Sequence, residues 1–269
     1  MTTHFIGTDG LVYAPGNAQD VGKREDQQDS FGFSDPNDTG LMAHGGMLAI
    51  VADGMGGMAH GAEASQLAVR AFLQHYATKQ IGEPITQALG RAVEAADRSV
   101  FEFATSVDLA RDVGSTLVAA AFAPSGLYWM SVGDSALYLC RDGSLTQLNH
   151  PHTLGAKLAE LVKRGVMSPE DAAIDPDRDA LTSYVGAGGI AQIDSPGEGL
   201  AVTAGDIVIL CSDGLYRALS HEEIARIATR AADAQEAADT LIASALAREL
   251  PHQDNVTVLC VRITNQESK

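Results

Sequence analysis

The sequence predicts an α+β fold: a four-layer αββα sandwich, in which two packed antiparallel sheets carry helix pairs on their outer faces. Short apolar runs bounded by turn residues recur in blocks, at 47–52, 116–148, 207–211 and 256–261. Their lengths suit strands rather than helices. Segments with helical periodicity lie between and after these blocks in pairs, at 61–79 with 84–106 and at about 221–230 with 234–249. Strand blocks with helices set apart from them bury their apolar faces best as stacked sheets covered on the outside. The chain has 269 residues and no linker rich in Pro, Ser or charge, so one domain over 1–269 is expected.

Taken in order, residues 5–7 and 31–33 read as short strands, and 34–46 as a loop rich in Gly, Asp and Asn. The apolar run from Met47 to Ala52 ends in Asp53-Gly54-Met55-Gly56-Gly57, a buried strand with a carboxylate at the rim of the core. The helix at 61–79 turns Leu67, Ala68, Ala71, Phe72 and His75 to one face, which makes His75 a satisfied, partly buried histidine; His60 caps or precedes that helix. In the helix at 84–106, Ile85, Leu89, Ala92, Val93, Ala96, Val100 and Phe103 are spaced to pack inward. Four runs at 116–122, 127–132, 136–140 and 145–148 stand at hairpin spacing and predict an antiparallel meander, with Asp142-Gly143 as a tight turn. Asp9-Gly10 reads as another. A helix follows at 153–164, and Ser168-Pro169-Glu170 reads as an N-cap with proline at the first helical position. After a polar break at 175–179, a strand is expected near 190–193.

The net charge of −17, from 35 acids against 18 Lys and Arg, argues against a nucleic-acid partner, since phosphate backbones need a basic face. No apolar stretch reaches the roughly 18–20 residues of a membrane span, and Met1-Thr2-Thr3-His4 has no basic n-region, so a cytoplasmic protein off the membrane is expected. Cys140, Cys211 and Cys260 fall inside apolar strand patterns and read as buried reduced thiols.

Asp53-Gly54 alone reads first as a hairpin turn. Asp213-Gly214 repeats its pattern, however: an apolar strand, Ile207 to Cys211, then an acid and a glycine. Asp254-Asn255 stand before the last strand, and Arg24-Glu25-Asp26-Gln27-Gln28-Asp29 form a further candidate. Carboxylates gathered at strand ends repel one another and persist only where cations or protons neutralise them.

Five stretches in order, Asp53-Gly54-Met55-Gly56-Gly57, Gly114-Ser115-Thr116, Val132-Gly133-Asp134-Ser135, Cys211-Ser212-Asp213-Gly214-Leu215 and Asp254-Asn255-Val256-Thr257, resemble the motif series of the metal-dependent type 2C Ser/Thr protein phosphatases, bacterial branch. The resemblance implies a sandwich with a two-ion Mg²⁺ or Mn²⁺ centre between the sheets, and hydrolysis of phosphoserine and phosphothreonine by a metal-activated water. It implies that Asp53 bridges both ions, that the Gly54 carbonyl joins one, and that Asp213 and Asp254 hold the other. Hard divalent ions favour such oxygen ligands over the His or Cys donors that suit zinc. Arg24 matches the phosphate-binding arginine and Asp29 the motif acid that acts through water on the metal, which makes Arg24, Asp29 and Asp53 the implied catalytic residues. Gln28 stands where relatives often carry Glu, and Met55 where eukaryotic relatives carry a histidine, which leaves the general acid unassigned or as water. Ala136 replaces a usual arginine, a change of packing rather than chemistry.

Asn149 falls where bacterial members carry the aspartate of a third metal site, so two ions are expected; His150 and His152 read as a solvated loop pair. Residues 150–180 occupy the family's flap. The implied partners are phosphorylated proteins and a bacterial Ser/Thr kinase that the enzyme, as a monomer, opposes. Two further readings are a phosphatase of an anti-anti-sigma-type regulator, and a catalytically silent phosphoprotein-binding module.

Overall fold

The computed structural model describes residues 5–7, 10–56 and 59–266. Met1 to His4, Asp9 of the turn expected at Asp9-Gly10 and Gly57 of the first acidic motif lie outside the described residues. The first half of the chain forms β1 (Phe5–Ile6), β2 (Leu11–Asp20), β3 (Asp29–Phe33), α1 (Thr39–Gly45), β4 (Met47–Met55), α2 (Ala59–Tyr76) and α3 (Ile85–Ser106). There follow β5 (Gly114–Ser115), β6 (Leu117–Ala123), β7 (Gly126–Val132), β8 (Ala136–Arg141), β9 (Ser144–Gln147), α4 (Leu154–Lys163) and α5 (Pro169–Ala173). The last part supplies β10 (Ile207–Cys211), α6 (Asp213–Tyr216), α7 (His221–Arg230), α8 (Ala234–Leu246) and β11 (Val256–Asn265).

The strands make two antiparallel sheets, one in the order β1-β2-β11-β10-β8-β9 and the other β3-β4-β6-β7, with β5 on β4. Helices α2 and α3 pack on the second sheet, α7 and α8 on the first, giving four layers. Each inner strand is apolar on both faces, which is why it reads as an unbroken run rather than an alternation. On β4, Leu48, Ile50 and Ala52 face the helices while Met47, Ala49 and Val51 face the other sheet. On β10, Ile207, Ile209 and Cys211 face outward and Val208 and Leu210 inward. Cys140, Cys211 and Cys260 are free and buried. No helix among the described residues is long and apolar enough to cross a membrane.

Several expectations need correction. The four runs from 116 to 148 form two hairpins in different sheets rather than one meander: β6 pairs with β7, β8 with β9 and β10. Glycine at 133, with φ +95°, turns the chain from one sheet into the other. The connection β2 to β3 also changes sheets, and both crossings lie at the same end of the sandwich. Strand β4 runs on through Asp53 and Gly54 to Met55, so this Asp-Gly is no turn. The Asp142-Gly143 turn is one, with φ +52° and +76° in a two-residue loop.

The loop at 34–46 contains α1, capped by the Asp38 side chain on the Leu41 amide. No strand forms at 190–193. His75 is exposed, bonded to the Ala71 carbonyl, and Tyr76 takes the core position; His60 lies inside α2 against the Phe103 ring. Strand β2 escaped sequence reading because Pro15-Gly16 break its pattern. Among the described residues β1 pairs only with Val12 and Tyr13, short of Pro15. Gly16 sits against α8, where a Cβ would lie 2.3 Å from the Ala234 carbonyl carbon.

Candidate active site

Strand alternation decides what stands between the sheets at the crossing end. The inward phase that buries Val51, Phe31, Leu210, Leu259 and Val118 continues to Asp53, Asp29, Ser212, Thr257 and Thr116. The seam is thus apolar along most of its length and polar at one end.

Asp29 and Asp53 are cross-strand partners on β3 and β4. The buried Asp29 carboxylate accepts from Ser212 Oγ and Thr257 Oγ1, both at 2.7 Å on Oδ2, while Gln19 Nε2 donates to Thr257 Oγ1 at 2.9 Å. Its Oδ1 is buried and receives no hydrogen bond among the described residues. Burial pushes Asp29 up to about 6 against the pull of these two hydroxyls, and the charge of Asp254 adds to the rise. Asp53 is pushed well above the carboxylate range, by burial first and then by Asp29, Asp213, Asp134 and Asp254. Thr116 grips its backbone, accepting from Asp53 N at 3.0 Å and donating its own amide to Asp53 O at 2.8 Å. Gly54 follows, its amide on Gln28 O at 3.1 Å.

Asp213 opens α6 directly after β10. Its Oδ2 pairs with Arg217 Nε at 2.7 Å and its Oδ1 has no partner. Burial raises it to about 7 against the neighbouring guanidinium, with Asp134, Asp254 and Asp29 adding to the rise. Asp254 accepts from Arg24 Nη2 at 2.7 Å. Asn255 brings that pair together, its Nδ2 on Val21 O and Asp26 O at 2.9 and 3.1 Å and its Oδ1 on Gln28 N at 2.7 Å. Arg24, Asp29, Asp53, Gly54, Asp213 and Asp254 therefore converge on one end of the seam.

Sequence reasoning missed three neighbours. Asp134, in the second crossing, is buried and raised by that burial, and the sequence around it assigns it no role. Arg217 and Asp179 meet at 3.3 Å, a pair that no local spacing announces. With Asp53, Asp213 and Arg111 these three line a cleft of about 440 Å³.

Asn149 is engaged by the chain rather than by the cleft. It is buried, accepts from Leu137 N at 2.8 Å and donates to Ser135 O and Ser131 Oγ at 2.9 and 3.2 Å. Its amide ties β7 to β8 and is satisfied by the chain itself. His152 is not solvated: it is buried, accepts from Gly133 N at 3.2 Å, and burial lowers its pKa. His150 is exposed and pairs with Asp194 at 2.9 Å. Ala136 lies in the core beneath α7 and α8.

Among the described residues, no three His, Cys, Asp or Glu side chains stand close enough to hold an ion as they are. Asp213 and Asp254 are instead turned onto arginines. The site still fits a hard divalent cation on three grounds. The donors are all oxygen. Asp29 and Asp213 each keep a buried oxygen without a partner. The acids raise one another's pKa, a charge excess that only cations or protons relieve.

Two antiparallel sheets between helix pairs, with acids at one end of the seam, define the class of metal-dependent Ser/Thr protein phosphatases. Sequence comparison places the chain within it: the profile of the protein phosphatase 2C family matches residues 22–253, and the chain belongs to that family. A serine/threonine phosphatase stp of Listeria welshimeri is 33% identical over 217 residues, 80% of this chain and 83% of that protein. The serine/threonine protein phosphatase PstP of Mycobacterium tuberculosis is 35% identical over 230 residues, 83% of this chain and 41% of that longer protein. The crystal structure of the M. tuberculosis phosphatase PstP/Ppp superposes with a TM-score of 0.76 at 31% identity, covering 94% of this chain and 99% of the other. A catalytic domain of PstP in complex with two manganese ions gives 0.74 at 30%, covering 95% and 100%.

Proposed function

We propose that the chain removes phosphate from phosphoserine and phosphothreonine in proteins, with Asp53, the Gly54 carbonyl, Asp213 and Asp254 holding two Mn²⁺ or Mg²⁺ ions. The observation that carries this reading is the convergence of acids from four separate stretches, two of them with buried unpartnered oxygens. The ion number follows the manganese-bound PstP domain. Bound there, a divalent pair supplies Lewis acidity, lowering the pKa of water and drawing charge from phosphate oxygens.

The chain's own groups do the rest. Arg24 presents a guanidinium fork that suits two phosphate oxygens. Its side chain is 56% exposed, so leaving Asp254 costs at most about 1 kcal/mol. Asp29, fixed by Ser212 and Thr257, keeps one oxygen available to orient water. The Met55 thioether donates no proton, which leaves solvent to protonate the departing alkoxide.

In the same reading the chain is a single phosphatase domain over 1–269, cytoplasmic and monomeric. Residues 150–180 are its flap, and a bacterial Ser/Thr kinase supplies its substrates. Hydrolysis of p-nitrophenyl phosphate with and without Mn²⁺ tests the proposal. Turnover is expected only with the metal, and Asp53→Asn or Asp213→Asn should lower it by at least about 10²-fold. A catalytically silent binding module has one observation on its side, the arginines seated on Asp213 and Asp254. Absent turnover would favour it, and metal-independent turnover would count against both readings.

A further inference from the structure

Three guanidinium groups stand at or beside the acids, and one differs from the others. Arg24 is paired with Asp254, and Arg217 with Asp213 and Asp179. Arg111 lines the cleft above Asp53, is exposed, and has no ion pair or side-chain hydrogen bond among the described residues. In a chain with 35 acids and 18 bases, a cation left without a direct partner at the mouth of the candidate active site calls for a reason.

The backbone supplies one. Arg111 has φ +75°, a left-handed conformation that non-glycine residues seldom adopt, and its carbonyl accepts from the Tyr184 hydroxyl at 3.0 Å. Tyr184 is itself fixed, packed so closely on Gly114 that a Cβ there would lie 2.5 Å from its ring. The next residue, Val185, exchanges backbone hydrogen bonds with Ser115 at 2.9 and 2.8 Å. A disfavoured backbone held by specific contacts fixes where the side chain leaves the chain, and such strain concentrates at ligand-binding positions.

We propose that Arg111 binds an acidic side chain beside the phosphorylated residue, so that the enzyme selects phosphoproteins with Asp or Glu flanking the site. A carboxylate nearing this cleft is repelled by Asp134, Asp179 and the net charge of −17, except where an unengaged guanidinium receives it. The planar fork of arginine takes a carboxylate at two points. Arg24 lies outside the lining of this cleft, so the two arginines address different parts of a substrate.

This inference rests on the phosphatase reading, and its test separates the two. Two phosphothreonine peptides, identical except for Glu or Gln next to the phosphothreonine, are hydrolysed in Mn²⁺ by the wild type, Arg111→Ala and Arg111→Glu. Wild-type kcat/KM should favour the Glu peptide by about two- to five-fold, the upper part of the range for an exposed ion pair. Arg111→Ala should bring the ratio to one through KM, and Arg111→Glu should invert it. A wild type indifferent to Glu, or an Arg111→Ala variant that keeps the preference, overturns the proposal. So does an equal loss on both peptides, which would assign Arg111 to the phosphate or to the fold. Fluorescence anisotropy of the same peptides on Asp53→Asn reads the preference without turnover. An inert enzyme that still binds the Glu peptide better sinks the phosphatase reading alone, and an active enzyme without preference sinks this one alone.

Discussion

A methyl group on Gly54 would lie 1.9 Å from the Gly61 carbonyl oxygen, well inside van der Waals contact. The start of α2 is pressed onto the strand that carries Asp53, so Gly54→Ala must displace one of them. Urea denaturation should show a loss of about 1–3 kcal/mol, with metal-dependent activity falling alongside. Thr257 tests chemistry rather than space. Thr257→Val keeps the shape and removes the hydroxyl that donates to Asp29 at 2.7 Å. Stability should drop by about 1–3 kcal/mol. With chelator present, the Asp29 carboxyl should titrate above its value of about 6 when followed by NMR, because burial is then opposed by one donor fewer. Thr257 was visible in the sequence only as part of a motif; nothing local announced that it faces Asp29, 228 positions earlier.

Elements were legible to the extent that they carry their own period. Helices α3 and α7 and strands β4, β10 and β11 declare themselves, because a buried face or an apolar run is a local property. Which strands pair is not local. The turns at 124–125 and 133–135 look alike as gaps between apolar runs, yet one closes a hairpin and the other changes sheets. Asn149 braces that second turn with three hydrogen bonds. An aspartate cannot donate to Ser135 O or Ser131 Oγ, and a buried charge would be left there. Asn149→Asp should therefore lose about 1–3 kcal/mol in chemical denaturation, with no additional ion in a metal titration. A gain of a third bound ion would show that a carboxylate at this position can serve a metal.

At the scale of the molecule, the raised carboxylates make stability depend on pH with a definite sign. Their folded values of about 6 for Asp29 and about 7 for Asp213 exceed the ordinary 3.8, so the folded chain holds protons that the unfolded chain gives up. Without cations their contribution to stability is then full below about pH 4, is lost as pH rises through 6 and 7, and stays absent above. The cost of ionising each is on the order of 3 kcal/mol. Chelated protein should melt several degrees lower at pH 8 than at pH 5, and the gain in Tm on adding Mn²⁺ should be larger at pH 8. A chelated Tm that rises across this range would contradict the clustering of the acids. Residues 133–135 join the two sheets beside those acids. Three residues reach at most about 10 Å, close to the spacing of stacked sheets. The layers are stitched at the edge where chemistry happens, so whatever breathing the far rim allows, the gap across which a phosphate would be cut stays a fixed width.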